Sequence, residues 1–205
     1  MLFFVVERSG VVMINEKKRA STQKSLEEAF MRVYAKKRYE DITITDICNE
    51  AGLYRSTFYN YYRHVGELLD SIENRIIGQL LECAAPFGIF RTEILFKSPK
   101  KLIEAYTAIM QTMYENRDTL KILMSENAYP SYTEKYRKAI SATITDHLEA
   151  NSIHLNMENR IVLEYMVAGI VSAQNMWLQT GTMSVEEMAA LLDMLNKSAL
   201  KAIIP

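Results

Sequence analysis

Between Thr43 and Tyr61 the chain gathers hydroxyls and amides around one guanidinium: Thr43, Thr45, Tyr54, Arg55, Ser56, Thr57, Tyr59, Asn60 and Tyr61. These side chains suit binding to nucleic acid better than breaking bonds. Hydroxyls, and the free amides at helix starts, hold phosphate oxygens and so fix position without reading sequence. A guanidinium at the start of a helix can bond guanine O6 and N7 together, which assigns base reading to Arg55. Tyr54, Ser56 and Asn60 are neighbours within reach of base edges. Upstream, Lys17, Lys18 and Arg19 are placed to touch DNA backbone or minor groove.

No other chemistry is gathered in this way. His147 and His154 are seven residues apart, but Asn151-Ser152 interrupts the helix that would align them. They read as structural or surface histidines, and no metal site is expected. No Ser-His-Asp or Cys-His spacing occurs, and the carboxylates are scattered over polar helix faces, so the chain is not expected to be an enzyme. With 7 Gly and neither a GxxxxGKS/T nor a GxGxxG string, nucleotide-cradling loops are unlooked for and no cofactor is expected. Cys48 and Cys83 lack a CxxC partner and read as reduced apolar fillers of a cytoplasmic protein.

The elements that must position these residues are helices. Leu26, Ala29, Phe30, Val33 and Tyr34 follow a 3.6-residue period and predict a first helix over about residues 22–37. Its basic end, Lys36-Lys37-Arg38, reads as a solvated face favoured by the helix dipole. Thr43 is placed to N-cap a second helix ending at Ala51, with Asp46 near its positive end. Gly52 stands where a left-handed residue stops that helix. A third helix must start almost at once and carry Arg55 to Tyr61. Two short helices across a glycine turn make a helix-turn-helix, with Leu53 and Phe58 as inward anchors.

A fourth helix is predicted from near His64 toward Cys83, with a stripe of Leu68, Leu69, Ile72, Ile76, Leu80 and Leu81, until Pro86 and Gly88 break it. Residues 89–97 read as a short helix or a packed loop. Ser98-Pro99 signals a new helix start. Asp118 is expected to cap a short helix reaching Ser125, and further helices follow over 131–150 and 157–179, the latter stopped by Gly181. Ser184 and Glu187 form a capping-box start for the last helix. The fold expected is all-α, without strands or repeats.

Charge is uneven. Residues 15–65 hold ten Lys/Arg against seven Asp/Glu, net +3, whereas residues 66–205 are net −4. The N-terminal quarter is therefore where a polyanion would bind. The run Leu2–Val6 is too short to span a bilayer and lacks the flanks of a signal peptide, so no membrane partner is expected. Residues 1–14 are expected to be an unstructured extension, or residues 1–12 to precede a true start at Met13.

The string from Thr43 through Ala51-Gly52-Leu53-Tyr54-Arg55-Ser56-Thr57-Phe58-Tyr59 to Tyr62 resembles the DNA-binding domain of the TetR family of bacterial transcriptional regulators. The resemblance covers about residues 19–70. It implies phosphate contacts for Thr57 and Tyr59, and for Tyr61 in place of a common histidine. Two departures stand out. Tyr54 occupies a position where a capping Ser, Thr or Asn is usual, and Val65 one where a lysine often meets phosphate, a role His64 is placed to take over in part.

The resemblance divides the chain into a helix-turn-helix domain over 15–64 and a helical effector-binding and dimerisation domain over 65–205. Tyr106, Met110, Met113, Tyr114, Met124, Met166 and Trp177 fall on apolar helix faces and are candidate effector contacts, since thioethers and aromatic rings line adaptable cavities. Residues 161–171 are apolar except for Glu164, and a helix that apolar needs cover on more than one side. With the small residues nearby and the last helix, this yields a candidate dimer interface of Ala168, Gly169, Ser172, Met176, Met188, Leu192 and Leu195. The function implied is that of a homodimeric repressor. It binds a pseudo-palindromic operator and is released by a small-molecule effector. The alternative is a TetR-fold activator working through a protein partner.

Overall fold

Helix α1 spans Phe3–Tyr34, a longer element than the expected 22–37. Thr22 does not open it. The Thr22 hydroxyl donates back to Lys18 O at 3.0 Å, and Ser25 does the same to Ser21 O, so both sit inside a running helix. The expected unstructured extension is helical from Phe3 onward, because nothing before Thr22 breaks a helix except Gly10, whose cost is only about 1 kcal/mol. The computed structural model describes residues 3–87, 99–125 and 128–203.

The chain divides into two compact units, Met1–Ile72 and Glu73–Pro205. The division falls inside α4 (Val65–Ala84), eight residues beyond the expected 64/65 boundary. In the first unit a 3₁₀ turn, Tyr39–Asp41, leads from α1 to α2 (Ile44–Ala51) and α3 (Arg55–Tyr59). Leu26, Ala29, Phe30, Ile47, Phe58, Leu68 and Ile72 are all fully buried and form its core. Each large side chain among them stabilises the unit by about 1.5–3 kcal/mol. Arg32 ties α1 to α2 through Glu50 at 2.6 Å, and the Tyr62 hydroxyl donates to Glu27 at 3.3 Å.

The second unit adds α5 (Pro99–Glu115), α6 (Arg117–Leu123), α7 (Ser131–Ala150), α8 (Met157–Thr180) and α9 (Val185–Ile203). Among the described residues there are nine α-helices and no strand. α5 packs on α9, and α8 packs on α6, α7 and α9. The stretch 89–97 and the Ser98 cap lie outside the described residues, and α5 begins at Pro99, where a missing amide proton costs nothing. Asp118 is not the cap of α6. Asn116 holds that position without capping the helix amides, its side chain donating instead to Thr112 O at 2.9 Å, and Asp118 lies exposed in the first turn beside Arg117. Asn156 caps α8 by accepting from Asn159 N at 2.8 Å, and left-handed Gly181 (φ 63°) stops it. Ser184 and Glu187 close a capping box on α9, at 2.8 and 3.1 Å.

Among the described residues α8 is long and apolar enough to cross a bilayer. Here one side of it is packed: Leu163, Met166, Val167, Ile170, Val171, Trp177 and Leu178 are buried within the unit.

Candidate nucleic-acid interface

The turn between α2 and α3 is built by short-range bonds. Thr43 Oγ1 accepts from Asp46 N at 3.1 Å. Asp46 Oδ2 accepts from Thr43 N at 3.0 Å and from the Thr43 hydroxyl at 2.7 Å. Lys37 Nζ adds an ion pair to Asp46 at 2.7 Å. The Lys37 bond, then those of Thr43, hold the Asp46 carboxyl down at about 2. The Thr43 hydroxyl is therefore engaged inside the protein, which leaves it a structural cap first. At the other end of α2, Leu53 N donates to Cys48 O (2.9 Å) and Gly52 N to Asn49 O (3.3 Å). This paired closure needs a left-handed residue, and Gly52 supplies it at φ 65°.

α3 starts without a side-chain cap, as the tyrosine at position 54 implies. Its first turn closes on Tyr54 O, which accepts from Thr57 N at 2.9 Å. Fully buried Phe58, edge-on to Tyr59 with centroids 5.9 Å apart, fixes the roll of the helix. With Phe58 inward, Tyr54 is 84% exposed, and Arg55, Ser56, Tyr59 and Asn60 are exposed as well. Thr57 and Tyr61 are half-buried, and Thr45 is exposed on α2. Arg55 Nη2 lies 3.5 Å from Tyr59 Oη, one helical turn on, a contact at the weak limit of a hydrogen bond. The Arg19 guanidinium lies over the Tyr61 ring at 5.9 Å, which brings the basic end of the upstream segment beside this surface.

His64 takes a different role from the expected phosphate contact. Its Nδ1 accepts from Glu67 N at 3.1 Å and so caps α4. Glu67 in turn accepts from Arg63 N at 2.6 Å and Arg63 Nε at 3.2 Å, and these bonds lower its carboxyl below the usual range. The three-residue spacing of His64 and Glu67 was the signal for this cap. A surface hollow of about 340 Å³ between α1 and α2, lined by Val33, Lys36, Lys37, Asp46, Asn49 and Glu50, had no sequence signature.

In the second unit Tyr106, Met110, Met113, Met124, Met166 and Trp177 are all buried. Tyr106 Oη accepts from Asn196 at 3.1 Å, and burial pushes its hydroxyl up to about 12. Trp177 Nε1 donates to Met183 O at 2.9 Å. Tyr114 instead lies half-exposed under the Arg117 guanidinium at 4.6 Å. Ala168, Gly169, Ser172 and Met176 are exposed along α8, and Leu195 is exposed on α9. Ile161 and Tyr165, which the candidate interface left out, are exposed on α8 as well, and Met194 is exposed on α9. Met188 and Leu192 are a correction. Both are buried in the subunit's own core, where α9 packs on α5, and offer no surface to a second copy.

Residues 100–198 match the TetR-type family model described as "Transcriptional regulator C-terminal region". The chain is similar to TetR-family transcriptional regulators in this region and in fold. It is 24% identical over 158 residues to the HTH-type dhaKLM operon transcriptional activator DhaS of Lactococcus lactis, covering 77% of this chain and 79% of that one. It is 26% identical over 209 residues to the uncharacterized HTH-type transcriptional regulator YerO of Bacillus subtilis, covering 93% and 70%. A solved TetR-family structure from Syntrophomonas wolfei superposes with a TM-score of 0.66 at 15% identity, over 91% of this chain and 97% of that one, a likeness of fold. TetR regulators bind DNA, and the surface around α3 has the groups to do so.

Proposed function

We propose that the chain is a cytoplasmic, homodimeric repressor that grips a pseudo-palindromic operator with α3 and leaves it when a small-molecule effector binds the second unit. The exposed set Arg55, Ser56, Tyr59 and Asn60, held outward by buried Phe58, carries this reading. Arg55 reads a base. Thr57, Tyr59 and Tyr61 hold phosphates, with Tyr54 and Thr45 at the edges. One α3 is only five residues long, so two copies about a twofold axis are needed to read half-sites a helical turn apart.

The exposed row Ile161, Tyr165, Ala168, Ser172 and Met176 supports the second copy, since so much apolar surface on one helix calls for cover. Tyr106, Met110, Met113, Met124, Met166 and Trp177, with Tyr114 at the edge, supply soft, repackable surface for an effector. α4 has residues in both units and is the element through which a coupling of a few kcal/mol would pass.

Binding of the full chain to its own upstream DNA, titrated with salt, tests this. Two protected half-sites and a steep fall of affinity with salt are expected. Weak binding indifferent to sequence overturns the operator reading. A Tyr165→Lys variant that remains dimeric overturns the role given to α8. A second reading, activation through a protein partner, is favoured by the name of the Lactococcus relative, an operon activator. A partner recovered with the second unit, together with DNA binding that raises transcription, would select it.

A further inference from the structure

Arg19 lies well inside α1, so a running helix aims its side chain. It shares a face of that helix with Gln23 and Glu27, at spacings of four residues. That face meets the segment that follows α3. Tyr62 there is 5% exposed, and its hydroxyl and the Gln23 amide both donate to Glu27 Oε1, at 3.3 Å each. Farther up the same face, toward the N-terminus, the Arg19 guanidinium lies over the Tyr61 ring, 5.9 Å from its centroid. The amides of Tyr61 and Tyr62 both donate to Phe58 O, at 2.9 and 3.0 Å. One face of α1 is thus held in register with the residue that sets the roll of α3.

The Arg19–Tyr61 contact has bonding capacity to spare. A guanidinium over a ring uses its flat face and keeps its N–H edge for planar acceptors. Arg19 is exposed, and among the described residues no carboxylate pairs with it. Among the same residues the half-buried Tyr61 offers its hydroxyl to no hydrogen bond. A cation–π contact at an exposed position stabilises little by itself. Both polar ends are donors, and one shared acceptor answers both. That acceptor should carry negative charge and more than one oxygen, as backbone phosphate does. Base edges in the minor groove are uncharged and present acceptors singly.

We infer that Arg19 and Tyr61 hold one DNA phosphate between them, so that α1 and the end of α3 grip the backbone together. This rests on the DNA-binding reading of α3 and adds α1 to that surface. Lys17 and Lys18, exposed just before Arg19, add positive charge on the approach.

Phosphate contacts are indifferent to sequence, so three duplexes of equal length serve: the chain's own upstream DNA, an unrelated A·T-rich duplex and an unrelated G·C-rich one. Binding of the full chain to each is titrated with salt. Arg19→Met should weaken binding to all three roughly tenfold and make the fall of log affinity with log salt shallower by about one. Tyr61→Phe keeps the ring and should weaken binding about threefold. The double variant should bind as Arg19→Met does, because the two donors share one acceptor. The Tm of Arg19→Met should match that of the parent chain, since the side chain is exposed. Losses that multiply in the double variant, an unchanged salt slope in Arg19→Met, or a loss confined to the A·T-rich duplex overturns the shared phosphate. A fall of several degrees in the Tm of Arg19→Met makes the contact structural and overturns it too. Equal parent affinity for all three duplexes, with the variants behaving as expected, removes the operator reading and leaves the shared phosphate standing. Specific binding of the upstream DNA with Arg19→Met at parent affinity does the reverse. A parent chain that binds no duplex removes both.

Discussion

In the first unit the capping contacts that shape the surface around α3 close within one helical turn, Thr43 with Asp46, His64 with Glu67, Arg55 with Tyr59, and the Lys37–Asp46 pair beside them spans only nine residues. In the second unit the contacts around buried polar groups reach across 58, 62 and 90 residues, from Ser131 and Lys135 to Glu73 and from Asn196 to Tyr106. The polar residues of the first region are mostly exposed, and in the second Glu73, Tyr106 and Asn196 are buried. A surface that must meet DNA can be specified locally, because each side chain needs only its own helix to aim it. A buried polar group must find its partner on another helix, so its environment exists only once the unit has folded.

The strongest way to break this comparison is to remove Phe58. Phe58→Ala empties a fully buried site and should cost about 3–5 kcal/mol. DNA binding should vanish, and the amides of α2 and α3 should exchange quickly while those of α8 stay protected. Equal loss of protection in α8 would mean that the two regions fold as one, and the contrast between them would lose its energetic meaning.

The same contrast explains what was legible. The Thr43 cap, the Gly52 stop and the uncapped start at Tyr54 follow from residue types a few positions apart, and all three stand in the structure. The start of α1 was misread because the apolar period begins only at Leu26, whereas the helix is already under way at Thr22, whose hydroxyl turns back to Lys18 O. Burial of Met188 and Leu192 was misread because an apolar face does not say which neighbour covers it. Glu73 was passed over as one more charge on α4. Its place, four residues from Leu69 and three from Ile76 on the buried stripe, was the available clue. Which base a side chain reads and which effector a helical core accepts depend on the partner's chemistry as much as on the fold.

Arg55 sharpens the comparison at the level of function. Arg55→Ala should weaken operator binding by about 1–3 kcal/mol and relax base choice at one position per half-site. Thr57→Ala or Tyr59→Phe should weaken all sequences alike. A set of operator variants in a binding assay separates the two patterns, and uniform loss in Arg55→Ala would remove its base-reading role. Neither change should alter the thermal stability of the second unit.

The two left-handed glycines allow a matched test. Gly52 (φ 65°) and Gly181 (φ 63°) both have open space where a Cβ would stand, so alanine there meets backbone strain alone. Each substitution should cost about 1–2 kcal/mol by chemical denaturation. Only Gly52→Ala should also reduce DNA affinity, because the turn it closes aims α3. Loss of DNA affinity with Gly181→Ala to the same extent would show that the end of α8 bears on the DNA-binding surface.

The smallest effect separates the two capping boxes. Thr43→Ala and Ser184→Ala each remove a side chain that accepts a helix amide, and each should cost about 1 kcal/mol. They should differ in acid. The folded Asp46 carboxyl lies at about 2, below its ordinary 3.8, so its share of stability is complete above pH about 4 and is lost as pH falls toward 2. Lys37 is the larger cause of that depression and Thr43 the next. Thr43→Ala should therefore flatten the acid loss in part, and Lys37→Met should flatten it further, by removing stability already at neutral pH. Residue-resolved NMR of α2 amides between pH 5 and 2 reads this directly. If Lys37→Met kept the full acid-dependent loss, the ion pair would contribute nothing, and the cap of α2 would be no different in kind from the cap of α9.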